Sequence, residues 1–189
     1  MDVIIWITEP YLKQAVEYHG HLCACQILGV RMTMLALKHF GIEDPDTYKD
    51  LVAFVEADRC VADAVSCIGH CHMGRRRLKW YDYGKSAASF YDMNCKKAII
   101  INTQGNVFPG QDDDINEYFG KISDEELFCI RPVEIDIKPE DLPGKPLGKA
   151  VCEVCGETVM DNRHVVKDGK VMCKACAGDS YYRYIGDEK

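Results

Sequence analysis

The sequence has no glycine-rich phosphate loop. Neither G-x4-GK[ST] nor G-x-G-x-x-G occurs, so nucleotide binding through those loops is excluded. The C-x2-C-x2-C-x3-C run of a ferredoxin-type cluster is missing as well. No stretch approaches about 18 consecutive apolar residues, which argues against a transmembrane helix. The opening MDVIIWITEP has Asp2 where a secretory signal carries Lys or Arg, and Thr8, Glu9 and Pro10 break its apolar run. A cytoplasmic location is therefore expected, without a membrane partner. Positive charge is short too: the net charge is −7, a poor match to a nucleic-acid backbone. The acidic run at Asp112 to Asp114 lacks the mid-loop glycine and closing glutamate of an EF-hand, so it reads as an acidic loop.

What the chain has is a packable core and many soft ligands. Hydrophobic residues make up 47% and charged residues 28%, which excludes the disordered class. Eleven cysteines, an odd number, and six histidines remain to be explained. In a reducing compartment, clustered cysteines read as metal ligands or catalytic thiols before disulfides.

Pro10 suits the first turn of a helix capped by Thr8, with Leu12, Ala15, Val16 and His19 on one face and Gly20 as its stop. A second helix is predicted from Cys23 or Ala24 to Phe40, ended by Gly41. Ile27, Val30, Met34, Leu35 and Leu37 fall on one side of it. LVAFVEA, AASFYDM and KKAIIINT read as strands, and CVADAVSCI as a short helix. A short acidic helix near Ser123 and a strand from Leu127 to Ile137 follow. The expected fold is an α+β core over residues 1–138, a proline-rich linker over 139–149 and a four-cysteine zinc finger over 150–189.

The finger rests on local spacing. Cys152-x2-Cys155, seventeen intervening residues and Cys173-x2-Cys176 supply four thiolates for one tetrahedral zinc. Asp168-Gly169 predicts a tight turn in the hairpin between the pairs, and His164 is expected to face solvent. This is a treble-clef or ribbon-like layout. Four thiolates close the coordination shell, so this Zn2+ is expected to be structural. From Ala150 onward six basic residues face seven acidic ones, so nucleic acid is not an expected partner.

Two further clusters fit no simple zinc signature. EYHGHLCACQILG places His19, His21, Cys23 and Cys25 within seven residues, with Cys23 at a helix start, where the dipole favours a thiolate. Cys60, Asp63, Cys67, His70, Cys71 and His72 lie within thirteen residues, the first three on one helical face. Together the clusters can form a mixed His/Cys site with an open position, suited to catalysis or ligand binding. Taken singly, each residue reads as a buried thiol or a satisfied imidazole. GRRRLKWYDYGK interleaves basic and aromatic residues. It reads first as a solvated basic turn, second as a site for an anionic ligand.

YHGHLCACQILGVRM resembles the HGH-x-C-P-G-x3-G signature of the FmdE family of formylmethanofuran dehydrogenase proteins. The likeness continues through Cys60, Asp63-Ala64, Gly69 to Cys71, Gly74 to Arg77 and Asp82-Tyr83-Gly84-Lys85, over roughly residues 10–135. The C-terminal cysteines resemble a treble-clef finger of the DksA/TraR kind, which members of the family often carry. Ala24-Cys25 stands in place of the family's Pro-Gly, His70 and His72 in place of Gly and Thr, and Arg75 in place of Lys. Cys25 is either an added ligand or simple packing.

The resemblance implies a pocket of His19, His21, Cys23, Cys60, Asp63, Cys71 and Lys85. The expected arrangement is a second metal ion on His19, His21, Cys60 and Cys71. Cys23 is then a reactive thiol beside it, and Asp63 or Lys85 a proton-transfer partner. The family name implies association with a molybdenum or tungsten enzyme subunit. Three readings follow: a metal-binding protein with an open core site, an accessory or carrier module docking on such an enzyme, and a zinc-finger regulator. A homodimer is also expected.

Overall fold

A computed structural model describes residues 10–105 and 107–185, which fall into two compact units divided between residues 136 and 137. Thr8 and Glu9, the expected start of the first helix, lie outside the described residues. That helix, α1, runs Tyr11–His19 with Pro10 at its N-cap position. Gly20 ends it in the left-handed region at φ 96°, its N–H donating to Val16 O at 2.7 Å, a conformation glycine adopts without steric cost. Helix α2 spans Ala24–Phe40 with Cys23 as N-cap and Gly41 as left-handed C-cap, as the sequence predicts.

The environment of α2 differs from the one-sided expectation. Its central stretch from Gln26 to Thr33 is buried all round, while Met34 and Leu35 are only partly covered. The helix runs through the middle of the unit and packs on α3 (Cys60–Ile68) as well as on the sheet. Gly29 makes this possible, because a Cβ there would fall 2.7 Å from the Ala64 Cβ. Two buried polar side chains on α2 are paired. Gln26 donates to Ala15 O at 2.8 Å, tying α2 to α1. Arg31 donates to Phe119 O at 3.0 Å, Ile122 O at 2.9 Å and Asp124 Oδ1 at 2.6 Å. It thereby pins the connection between α4 (Ile115–Lys121) and α5 (Asp124–Leu127) to the core.

The sheet has strand order β2-β1-β3-β4-β5. Its strands are β1 Leu51–Val55, β2 Leu78–Trp80, β3 Ala87–Asp92, β4 Lys97–Thr103 and β5 Phe128–Val133. β1 and β2 pair in parallel across α3, and the other neighbours are antiparallel. One face, with Leu51, Ala53, Val55, Phe90, Ile99 and Ile101, joins the helices in a single apolar core. The fold is therefore an α+β core with a mixed sheet.

Three local expectations change. β5 stops at Val133 because its partner β4 begins at Lys97, opposite the residue after Val133. Leu78–Trp80 is a strand rather than a turn. The acidic run ends in a helix: Asp114 caps α4 by accepting from Glu117 N at 2.8 Å, which satisfies one of the free N–H groups of a first turn.

The second unit holds two hairpins, β6 Lys149–Val151 with β7 Thr158–Met160 and β8 Val165–Lys167 with β9 Lys170–Met172. Asp168 and Gly169 turn the latter with φ of 52° and 76°, the geometry of a two-residue hairpin loop. Residues 139–148 are tied to this unit: Arg163 donates to Asp141 Oδ1 at 2.7 Å, and Leu147 N to Asp161 Oδ1 at 3.2 Å. Among the described residues no helix is long and apolar enough to cross a membrane.

Candidate metal centres

The four cysteines of the second unit converge. One sulfur each from Cys152, Cys155, Cys173 and Cys176 lies within 4.8 Å of the others, and Cys155 Sγ is 4.0 Å from Cys173 Sγ. A tetrahedral zinc with bonds near ~2.3 Å needs edges of about 3.7 Å, so little contraction is required. The backbone favours the anion at one of the four thiols, while the Cys173 side chain pushes Cys176 up. Backbone N–H groups of Cys155 and then Cys173 hold the Cys152 thiol down, to about 6. Cys176 N donates to Cys173 Sγ at 3.3 Å. Gly156, at φ 77°, closes the knuckle with its N–H on Cys152 O at 2.9 Å. His164 is half-buried and lies outside the four-sulfur group; its Nδ1 is buried with no partner among the described residues.

The core unit brings a second group together. His19, Cys23 and Cys60 each offer a donor atom within 4.8 Å of the other two. Three helix ends meet there: His19 is the last residue of α1, Cys23 the N-cap of α2, and Cys60 the first residue of α3. Asp63, one turn into α3, has Oδ2 2.8 Å from His19 Nδ1. The opposite ring nitrogen, Nε2, is buried with no hydrogen-bond partner among the described residues. An unpaired buried nitrogen is costly unless something binds it. A carboxylate behind a histidine is also the usual means of fixing which nitrogen faces a metal. Burial, then the neighbouring Cys23 thiol, pushes the Cys60 thiol up, so Cys60 resists ionising without a cation beside it. One imidazole and two thiols make a donor set that suits zinc, with a fourth position left open. The residues present fit a metal ion.

The remaining sequence candidates divide. His21 is exposed, its ring 4.5 Å from that of His19, and it is not one of the three converging donors. Cys71 is buried in the apolar core near Leu51 O and Gly69 O, away from the group. Burial pushes its thiol up to about 12. Lys85 is exposed, 3.8 Å from Glu56 Oε2 and over the Tyr83 ring, and is not among the residues lining the cleft beside His19. Cys25 is half-buried next to Cys60, and its thiol is raised by burial first and by Cys60 second. His70 pairs with Asp46, while His72 faces Ser66. Sequence reading passed over the cleft itself, of about 350 Å3, which His19, Cys60 and Asp63 share with Arg59, Met73, Leu78 and Trp80. The available signal is Trp80 in the basic and aromatic stretch GRRRLKWYDYGK, which nothing in the sequence connects to His19.

The family model described as FmdE, molybdenum formylmethanofuran dehydrogenase operon, matches residues 18–128. The chain belongs to the FmdE family. The match takes in His19, Cys23, Cys60 and Asp63. A second model, the prokaryotic dksA/traR C4-type zinc finger, matches residues 145–182, so the second unit is a four-cysteine zinc finger. A relative from Archaeoglobus fulgidus, a probable S-adenosyl-L-methionine-binding protein, is 30% identical over 93% of this chain. The chain spans about half of that protein's length, 54%. Among solved structures, an FmdE-like protein of the tungsten formylmethanofuran dehydrogenase type from Syntrophus aciditrophicus has a TM-score of 0.59 and 22% identity. That likeness covers 94% of this chain and 97% of the other, and it establishes the shared fold.

Proposed function

We propose that this FmdE-family protein is a two-metal protein, with a structural zinc in the finger and an open-coordinated ion in the core. The observation that carries the second site is the convergence of His19, Cys23 and Cys60 with Asp63 behind His19. A divalent ion there supplies Lewis acidity toward a carbonyl or a bound water. Cys23 then serves as a ligand rather than as a separate nucleophile. Asp63 lines the cleft while Lys85 does not, so Asp63 is the better placed proton-transfer partner. Metal analysis of the purified chain tests the reading. Two ions per chain are expected, falling to one when His19 and Cys60 are both replaced by Ala. One ion in both proteins would remove the core site.

A second reading is supported by the family's description, which places it in a molybdenum formylmethanofuran dehydrogenase operon. In that reading the protein is an accessory that docks on a molybdenum or tungsten enzyme. Co-purification with such an enzyme, with no turnover by the isolated chain, would favour it.

A further inference from the structure

The cleft that holds His19 and Cys60 has an apolar lining that metal binding does not require. Leu78, Met73 and Trp80 line it together with His19, Cys60 and Asp63. Trp80 is 48% exposed and Met73 62% exposed, a large apolar surface to leave in water inside a concave site.

The position of Trp80 follows from the sheet. β2 is an edge strand, and Trp80 pairs with Val55 as Leu78 pairs with Ala53. Strand alternation puts these residues on the helix-bearing face, beside α3. The next residue, Tyr81, points to the other face, where its ring lies 6.3 Å from Phe54 and 6.0 Å from Tyr83. Trp80 has no ring partner among the described residues. Tyr81 and Tyr83 thus have ring partners, while Trp80 lines the cleft of His19 and Cys60 without one. A cleft of about 350 Å3 lies at the small end for ligand sites, room for a ring system but not for a dinucleotide.

We propose that the cleft takes a small planar heteroaromatic ligand, its ring laid against Trp80 and Met73 and one ring nitrogen filling the open position of the metal. Imidazole-type nitrogens suit a zinc-like ion, and a flat ring is what an indole face and a thioether recognise. This inference rests on the core metal site proposed above.

The test uses the full-length chain loaded with cobalt(II), whose visible bands report its ligands. Imidazole and benzimidazole are titrated in turn, and the doubly substituted His19→Ala, Cys60→Ala protein supplies the finger-only spectrum for subtraction. Benzimidazole is expected to bind about tenfold tighter than imidazole. That preference should survive in Trp80→Phe and fall to within about twofold in Trp80→Leu, which keeps apolar bulk but not the flat face. Equal affinities in the unsubstituted protein, or a preference undiminished in Trp80→Leu, would overturn the inference while leaving the metal site standing. A cobalt spectrum identical to that of the double variant would overturn both.

Discussion

Asp63 Oδ2 lies 2.8 Å from His19 Nδ1, joining the first turn of one helix to the last residue of another. The bond occupies Nδ1 and leaves the buried Nε2 as the imidazole nitrogen free to bind an ion. Removing the carboxylate's charge while keeping its shape isolates that role. Asp63→Asn should keep the fold and the ion count at saturation but weaken binding of the proposed core ion about 10- to 100-fold. Competition with a chromogenic chelator measures this, with the finger zinc as internal reference. Unchanged affinity would mean that the pair is only a surface contact.

The finger should depend on its metal. A unit of this size with short hairpins and many exposed apolar residues, Val151, Val154 and Val166 among them, cannot bury enough surface to hold itself together. Cys173→Ala is expected to release one ion and collapse the amide dispersion of β6 to β9 in two-dimensional NMR. The amides of β1 to β5 should stay in place. Retention of finger dispersion in this variant would show that three cysteines and local contacts suffice.

How much of this could be read in advance depends on range. The finger was legible because all four ligands and the Asp168-Gly169 turn are defined by short spacings. His19 stands out as a candidate ligand for the same reason, whereas Cys23 reads as a reactive thiol beside the ion. That Cys60 and Cys71 do not converge was not legible, although helix geometry bears on it. α3 has nine residues from Cys60 to Ile68, a rise of about 13 Å, and Cys71 lies three residues beyond its end. Only the docking of α3 on α1 and α2 brings Cys60 to His19. β2 was hidden because three residues give no periodicity, and its pairing with β1 is parallel and non-local. Arg31 was hidden because a buried guanidinium is tolerated only when distant partners such as Asp124 and the Phe119 carbonyl satisfy it.

The crossing of α2 and α3 links stability to the site. Cys23 and Cys60 sit at the starts of these two helices, and Gly29 lets them approach until its missing Cβ would stand 2.7 Å from Ala64. Gly29→Ala should overpack this contact and cost about 1–3 kcal/mol in urea unfolding. It should also loosen the proposed core ion, since the donors move with the helices. Gly29→Ala combined with Ala64→Gly removes the tightest contact, leaving those to Val61 Cα and O at 3.0 and 3.1 Å, and should recover part of both losses. Additive losses in the double variant would show that the two sites are not coupled through this contact.

Cys71 gives the fold a dependence on alkaline pH. Its sulfur sits in the core, where burial lifts the thiol to about 12 from an ordinary value of 9.0, the Arg77 charge opposing. The folded chain therefore keeps a proton that the unfolded chain gives up above about pH 9. Between about pH 9 and 12 the unfolded state binds fewer protons, so this contribution is complete below about pH 9 and lost as pH rises toward 12. One such group removes up to about 1.4 kcal/mol per pH unit within that window. Urea unfolding of the reduced protein at about pH 8, 9 and 10 should show the decline, and Cys71→Ala should flatten it by that increment. The same burial predicts that Cys71 stays unlabelled by iodoacetamide near neutral pH while the exposed Cys95 reacts. Rapid native-state alkylation of Cys71, or an identical pH slope in the Ala variant, would show that the thiol reaches solvent.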